Sequence, residues 1–168
     1  MPKLTTDGLD GFLAKLNSLG ESAVKVAKQC VYAGAGEIHG AMEKSVLSLP
    51  LDSDGFTPDK DPLRVITDQD RRDLAACLGY SKIDDSDGVS VSVSFDGYIS
   101  RKEKNFPKGV PAALIARSLE SGSSVRAKNP FVRKSVNSVR ATVPTVMQAK
   151  LDEVINKITA GKPSKQED

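Results

Sequence analysis

Few residues in this 168-residue chain have the type and spacing to do chemistry in concert. His39 is the only histidine, which removes the metal and proton-transfer sites built from several imidazoles. Beside a helical stripe it reads as a structural or exposed side chain. Neither Cys30 nor Cys77 has a CxxC neighbour, and no serine stands in a Gly-x-Ser-x-Gly elbow, so nucleophilic catalysis has no visible apparatus. Gly34-Ala35-Gly36 with Gly40 has the glycine content of a phosphate loop. It falls inside a helical period, follows no strand and lacks the Walker lysine. These small residues instead predict a place where another element or subunit approaches the helix closely, despite a local cost of about 1 kcal/mol per Gly relative to Ala. The acidic stretches Asp52-Ser53-Asp54-Gly55 and Asp84-Asp85-Ser86-Asp87-Gly88 lack the glycine and glutamate register of a calcium loop and read as turns. No catalytic residue, cofactor or metal is expected.

Charge is the stronger signal. Residues 1–98 hold 10 Lys and Arg against 16 Asp and Glu, and residues 99–168 hold 14 against 6, so a net charge of +2 conceals halves of about −6 and +8. Between Arg101 and Arg140 stand ten basic residues against only Glu103 and Glu120. Phe106 and Phe131 are the only aromatic residues among them, so any nucleic-acid contact would be backbone electrostatics without base stacking. A solvated face, or a contact with the acidic half of a neighbouring subunit, explains the same charges equally well. Within this set Arg126, Lys128, Arg133, Lys134 and Arg140 are the candidates for contact with DNA or a partner.

The elements that must position these groups follow from length and periodicity. The chain suits one domain, residues 1–160, with a polar tail over 161–168 expected to be disordered. With 39% hydrophobic residues and no Trp, the core falls to Val, Leu, Ile and Ala. Both cysteines sit at apolar positions of predicted helices and read as small core residues in a reducing compartment. No apolar run approaches the roughly 18 residues of a membrane span, and the first residues form no signal-peptide core, so synthesis and folding in the cytosol are expected.

A short helix over Leu9, Phe12, Leu13 and Leu16 is expected first. A long one from Glu21 to Leu49 follows, with a stripe of Val24, Ala27, Val31, Ala35, Ile38, Met42, Val46 and Leu49, stopped by Pro50. Residues 50–66, rich in proline and aspartate, predict an exposed, mobile loop. A third helix runs from Asp68 to about Leu78, ended by Gly79. The alternation Val89 to Phe95 predicts a strand, with Asp96-Gly97 as a hairpin turn and Tyr98-Ile99-Ser100 as its return. A helix beginning near Pro111 ends at Glu120 with Gly122 as its natural stop. Pro130 opens a last long helix reaching Ile158, kinked at Pro144. The class is therefore α+β: long N-terminal and C-terminal helices on a small antiparallel sheet.

Order and spacing of these pieces resemble a known family. Gly8-Leu9-Asp10 with Leu13 and Leu16, the long helix carrying Gly34-Ala35-Gly36-Glu37-Ile38, the Asp73-Leu74-Ala75 helix and the alternating strand are similar to the tail components of long-tailed, siphovirus-like phages and prophages. Glu120-Ser121-Gly122 followed by Pro130-Phe131-Val132-Arg133-Lys134 resembles that family's most specific stretch, a helix ending in Glu-aromatic-Gly and then Pro-Phe-aliphatic-Arg-Pro. Ser121 and Lys134 depart from it, standing where an aromatic residue and a second proline are common. The resemblance implies a structural, non-enzymatic virion protein of the tail-completion, head–tail joining or minor tail type. It implies a ring at the tail's head-proximal end, with itself and other tail or connector proteins as partners and no membrane. A basic segment facing DNA in the lumen would then use the charge asymmetry. On the residues alone, Glu120, Gly122, Pro130, Phe131 and Arg133 read as a structural joint, with Glu120 expected to pair with Arg133 or Arg126. The alternative reading is a sequence-independent nucleic-acid-binding protein.

Overall fold

The structure, a computed structural model, describes residues 23–51, 66–86, 88–122 and 128–160. Its fold is α+β: five helices, α1 (Ala23–Leu47), α2 (Asp68–Ala76), α3 (Ala112–Ser121), α4 (Phe131–Val139) and α5 (Thr142–Ala160), with a two-stranded antiparallel sheet of β1 (Leu78–Tyr80) and β2 (Val93–Phe95). The expected first short helix, nearly all of loop 50–66 and the tail 161–168 lie outside the described residues.

The chain divides into two compact units. Of the described residues, 23–37, 82–86, 88–91 and 140–160 form one, and 38–51, 66–81, 92–122 and 128–139 form the other. In the first, α1 and α5 pack at Gly34, where a Cβ would stand 2.9 Å from Met147 Cγ and 3.1 Å from Val143 Cγ1. The close approach expected of the glycine-rich stretch occurs here, whereas Gly36 and Gly40 have open space where their Cβ would be. Val26, Ala27, Cys30, Ala35, Met147 and Leu151 are buried in this unit. Val24, expected on the stripe, is 52% exposed, because the buried seam follows Val26, Cys30 and Gly34 instead. Lys28 Nζ pairs with Asp85 at 2.6 Å, and Asp84 bridges Ser90 across the acidic turn.

In the second unit the core joins Val46 and Leu49 at the end of α1, Leu74 of α2, Ile99 and Val110, Ile115 and Leu119 of α3 and Phe131 of α4. Three local expectations change. First, α2 ends at Ala76, so Leu78, Gly79 and Tyr80 are not its last turn but a strand, in register with Phe95, Ser94 and Val93. Second, Tyr98–Ser100 is not β2's return strand. β1 already occupies one edge of β2, and Tyr98 bridges Pro111 while Ile99 donates its N–H to the Val110 carbonyl at 2.9 Å. That pairing buries both Ile99 and Val110. Third, the last long helix is two helices, not one with a kink. Proline at 144 has no N–H for the Arg140 carbonyl and its ring would strike that carbonyl. The helix stops at Val139, and Pro144 falls in the first turn of α5, where no intrahelical N–H is needed.

Candidate functional site

The stretch that the sequence singles out as a joint is built from the end of α3 and the start of α4. Helix α3 has its buried side at Ala112, Ile115, Ala116 and Leu119, spacings of three and four. It stops at Gly122, whose φ of 74° is a left-handed value that favours glycine. A Cβ there would also stand 3.1 Å from the Lys128 nitrogen and Cβ. The Asn129 N–H crosses back to the Leu119 carbonyl at 2.8 Å, satisfying one acceptor that the helix end leaves open.

The start of α4 has every early donor accounted for. Pro130 has none. The Phe131 N–H donates to the Asn129 carbonyl at 2.7 Å, and the Lys134 N–H makes the first helical bond, to the Pro130 carbonyl at 3.0 Å. Between them, the N–H groups of Val132 and Arg133 donate to Glu120 Oε2 and Oε1, at 2.8 and 3.2 Å. Among the described residues Glu120 thus meets the backbone N–H of Arg133 and not its guanidinium, while Arg126, the other expected partner, lies outside them. A carboxylate near the end of α3 is disfavoured by that helix's own dipole, and it gains instead from the positive end of α4 and its two unmatched donors. Phe131 is 2% exposed and meets Phe95 with ring centroids 6.0 Å apart, anchoring the joint in the core. One turn on, the buried Ser135 hydroxyl donates to the Phe131 carbonyl at 2.6 Å.

The basic candidates separate. Lys128, Arg133, Lys134 and Arg140 are exposed, and among the described residues none of them forms an ion pair. Arg126 lies outside the described residues. Arg101, counted in the same basic run, is not part of a solvated face. Its guanidinium reaches Asp70 at 3.1 Å and Glu103 at 3.7 Å with 19% of the side chain exposed. Asp70 is 3% exposed and also closes a capping box with Thr67 at the start of α2. Sequence reasoning overlooked this buried pair, although Thr67-x-x-Asp70 ahead of a helix has the spacing of a capping box.

Other candidates resolve into structure. His39 stacks on Tyr80 with ring centroids 5.0 Å apart, and its Nε2 lies 3.3 Å from the Leu78 carbonyl oxygen. Asp84 accepts from the Ser86 N–H and hydroxyl, and these bonds hold its carboxyl below its ordinary pKa. Lys28 does the same for Asp85. Cys30 is buried and Cys77 half-buried, both free, and burial pushes both thiols up, away from the reactive thiolate. Among the described residues no group of three or more His, Cys, Asp or Glu is placed to hold a metal ion. No helix searched there is long and apolar enough to cross a membrane. A cleft of about 190 Å³ lies beside α4's first turn, lined by Ser45, Ser48, Leu49, Asn129, Phe131 and Lys134. It is smaller than the roughly 300 Å³ at which ligand pockets begin. Comparison with protein-family models, curated proteins and solved structures finds no match.

Proposed function

We propose that this protein is a structural component of a phage or prophage tail, of the tail-completion or head–tail joining type. It assembles as a ring at the head-proximal end through contacts with itself and with other tail or connector proteins. In this reading it turns over no substrate. It is made in the bacterial cytoplasm and comes to reside in the virion tail. The supporting observation is the Glu120 bond to the Val132 and Arg133 amides, which gives a physical role to the residues carrying the family resemblance. Fixing the first turn of α4 also fixes the direction in which exposed Arg133 and Lys134 point. Electron microscopy of the purified protein, alone and with other tail proteins, tests this. Rings or density at the tail end are expected, and a protein that joins neither itself nor a tail overturns it. Replacing Arg126, Lys128, Arg133 and Lys134 with Ala is expected to impair tail joining.

A second reading, a sequence-independent nucleic-acid-binding protein, is favoured by exposed cations without ion-pair partners among the described residues. It requires the isolated monomer to bind DNA with an affinity that falls steeply with salt, a slope of about −0.9 per phosphate contacted. Salt-independent or absent binding removes this reading.

A further inference from the structure

The two edges of the small sheet differ. Ser81 donates its N–H to the Ser92 carbonyl at 2.8 Å, Ser92 donates to Ser81 Oγ at 2.9 Å, and Asp96 donates to the Cys77 carbonyl at 2.8 Å. With Gly79 opposite Ser94 between them, antiparallel alternation makes Leu78–Phe95 and Tyr80–Val93 the non-hydrogen-bonded pairs, so the backbone groups of these four residues point out of the sheet. On the β1 side the edge is covered: His39 lies against the Leu78 carbonyl and stacks on Tyr80. On the β2 side, among the described residues, no hydrogen bond reaches the N–H or C=O of Val93 or Phe95.

That open edge belongs to the segment Val89-Ser90-Val91-Ser92-Val93-Ser94-Phe95, which has no charge and no proline. Proteins ordinarily guard exposed edges with charge, proline or a bulge. Three of these seven residues pair within the sheet, and Ser90 and Ser92 bond Asp84 and Ser81 on that same side. Read antiparallel against itself about Ser92, the segment matches Val91 to Val93, Ser90 to Ser94 and Val89 to Phe95. Apolar residues meet apolar ones, serines meet serines, and no like charges oppose.

We propose that the outer edge of β2 is a self-pairing surface, on which two copies of this chain join antiparallel about a two-fold axis at Ser92. Val93 and Phe95 supply the ladder hydrogen bonds, and Ser92 sits in a non-hydrogen-bonded pair with its counterpart, Cα atoms about 4.5 Å apart. This falls within the span of a disulfide. The pair is isologous and closed, so it is a form of the free protein and does not itself build the ring proposed above. The two proposals therefore fail separately.

The test uses the full chain carrying Ser92→Cys with Cys77→Ala, Cys30 being buried. Mild oxidation is expected to give a covalent dimer as the main species. Adding Val93→Pro, which removes an outward N–H unused within the sheet, is expected to reduce that dimer at least tenfold. Ser92 is exposed, so Ser92→Lys leaves the fold intact by circular dichroism while setting two ammonium groups opposite each other. It is expected to convert a sedimenting dimer to monomer. Hydrogen exchange at the Val93 and Phe95 amides is expected to speed up on dilution of the wild type. A wild type that is monomeric at every concentration overturns the proposal, as does crosslinking that survives Val93→Pro. Protection unchanged on dilution also overturns it, since a segment of the same chain would then cover the edge.

Discussion

Two helix starts in this protein are capped by carboxylates, by different means. At α2, Thr67 and Asp70 cap reciprocally, the Asp70 N–H donating to Thr67 Oγ1 at 3.0 Å and the Thr67 N–H to Asp70 Oδ2 at 3.1 Å. Everything needed lies within four residues. At α4 the cap comes from Glu120, 12 and 13 residues before the amides it accepts. The first cap is assembled by the helix it starts. The second requires the α3 terminus, Gly122 and the intervening link to be in place, and in return it ties two helices together. Asp70 differs further in being buried against Arg101, whereas Glu120 is half-buried.

If that contrast is right, the largest loss follows Asp70→Ala. It removes a cap and takes from the Arg101 guanidinium the nearer of its two carboxylates, for about 3 kcal/mol and a calorimetric midpoint lower by roughly 6–12 °C. A loss below about 1 kcal/mol would mean that burial of this pair is energetically idle. Glu120→Ala is expected to cost about 1–2 kcal/mol, with faster amide exchange concentrated at Val132 and Arg133. Uniformly faster exchange would count against a local cap. Thr67→Ala should cost about 1 kcal/mol, leaving the Asp70–Arg101 pair in place.

The smallest effect belongs to Glu153, exposed on α5 between Lys150 and Lys157. Hydrogen bonds from Lys157 and Lys150 pull its carboxyl down to about 2. Because the folded value is depressed, its stabilising contribution is present above the ordinary value of 4.5 and fades as pH falls through about 2. Carboxyl NMR should show that titration in the wild type and a return toward the ordinary range in Lys150→Met/Lys157→Met. A value that stays near 2 in the double variant would sever the link to these lysines.

The same contrast explains what could be read from residues alone. Spacings of three and four announce α1 and α3, and Pro50 and Gly122 announce their ends, because each signal is contained in the helix it describes. The α+β class follows from such local signals. Leu78-Gly79-Tyr80 reads as a helix end because three residues are too few to display alternation, and its strand character depends on Val93–Phe95. Pro144 announces a disturbance, but whether the helix bends or restarts depends on packing. The importance of Glu120 is visible as a carboxylate at an unfavourable helix end. Its partners are not, because backbone amides carry no residue identity. Asn129 bonding the Leu119 carbonyl leaves no trace in sequence for the same reason.

The contact at Gly34 has a further consequence. Met147 and Val143 of α5 lie against this one position on α1, and the residues one turn to either side are Cys30 and Ile38, both with side chains. Sliding α5 along α1 by a turn, about 5.4 Å, would carry Met147 from a notch onto a ridge. Gly34 thus works as an index mark, setting where along α1 the last helix stops.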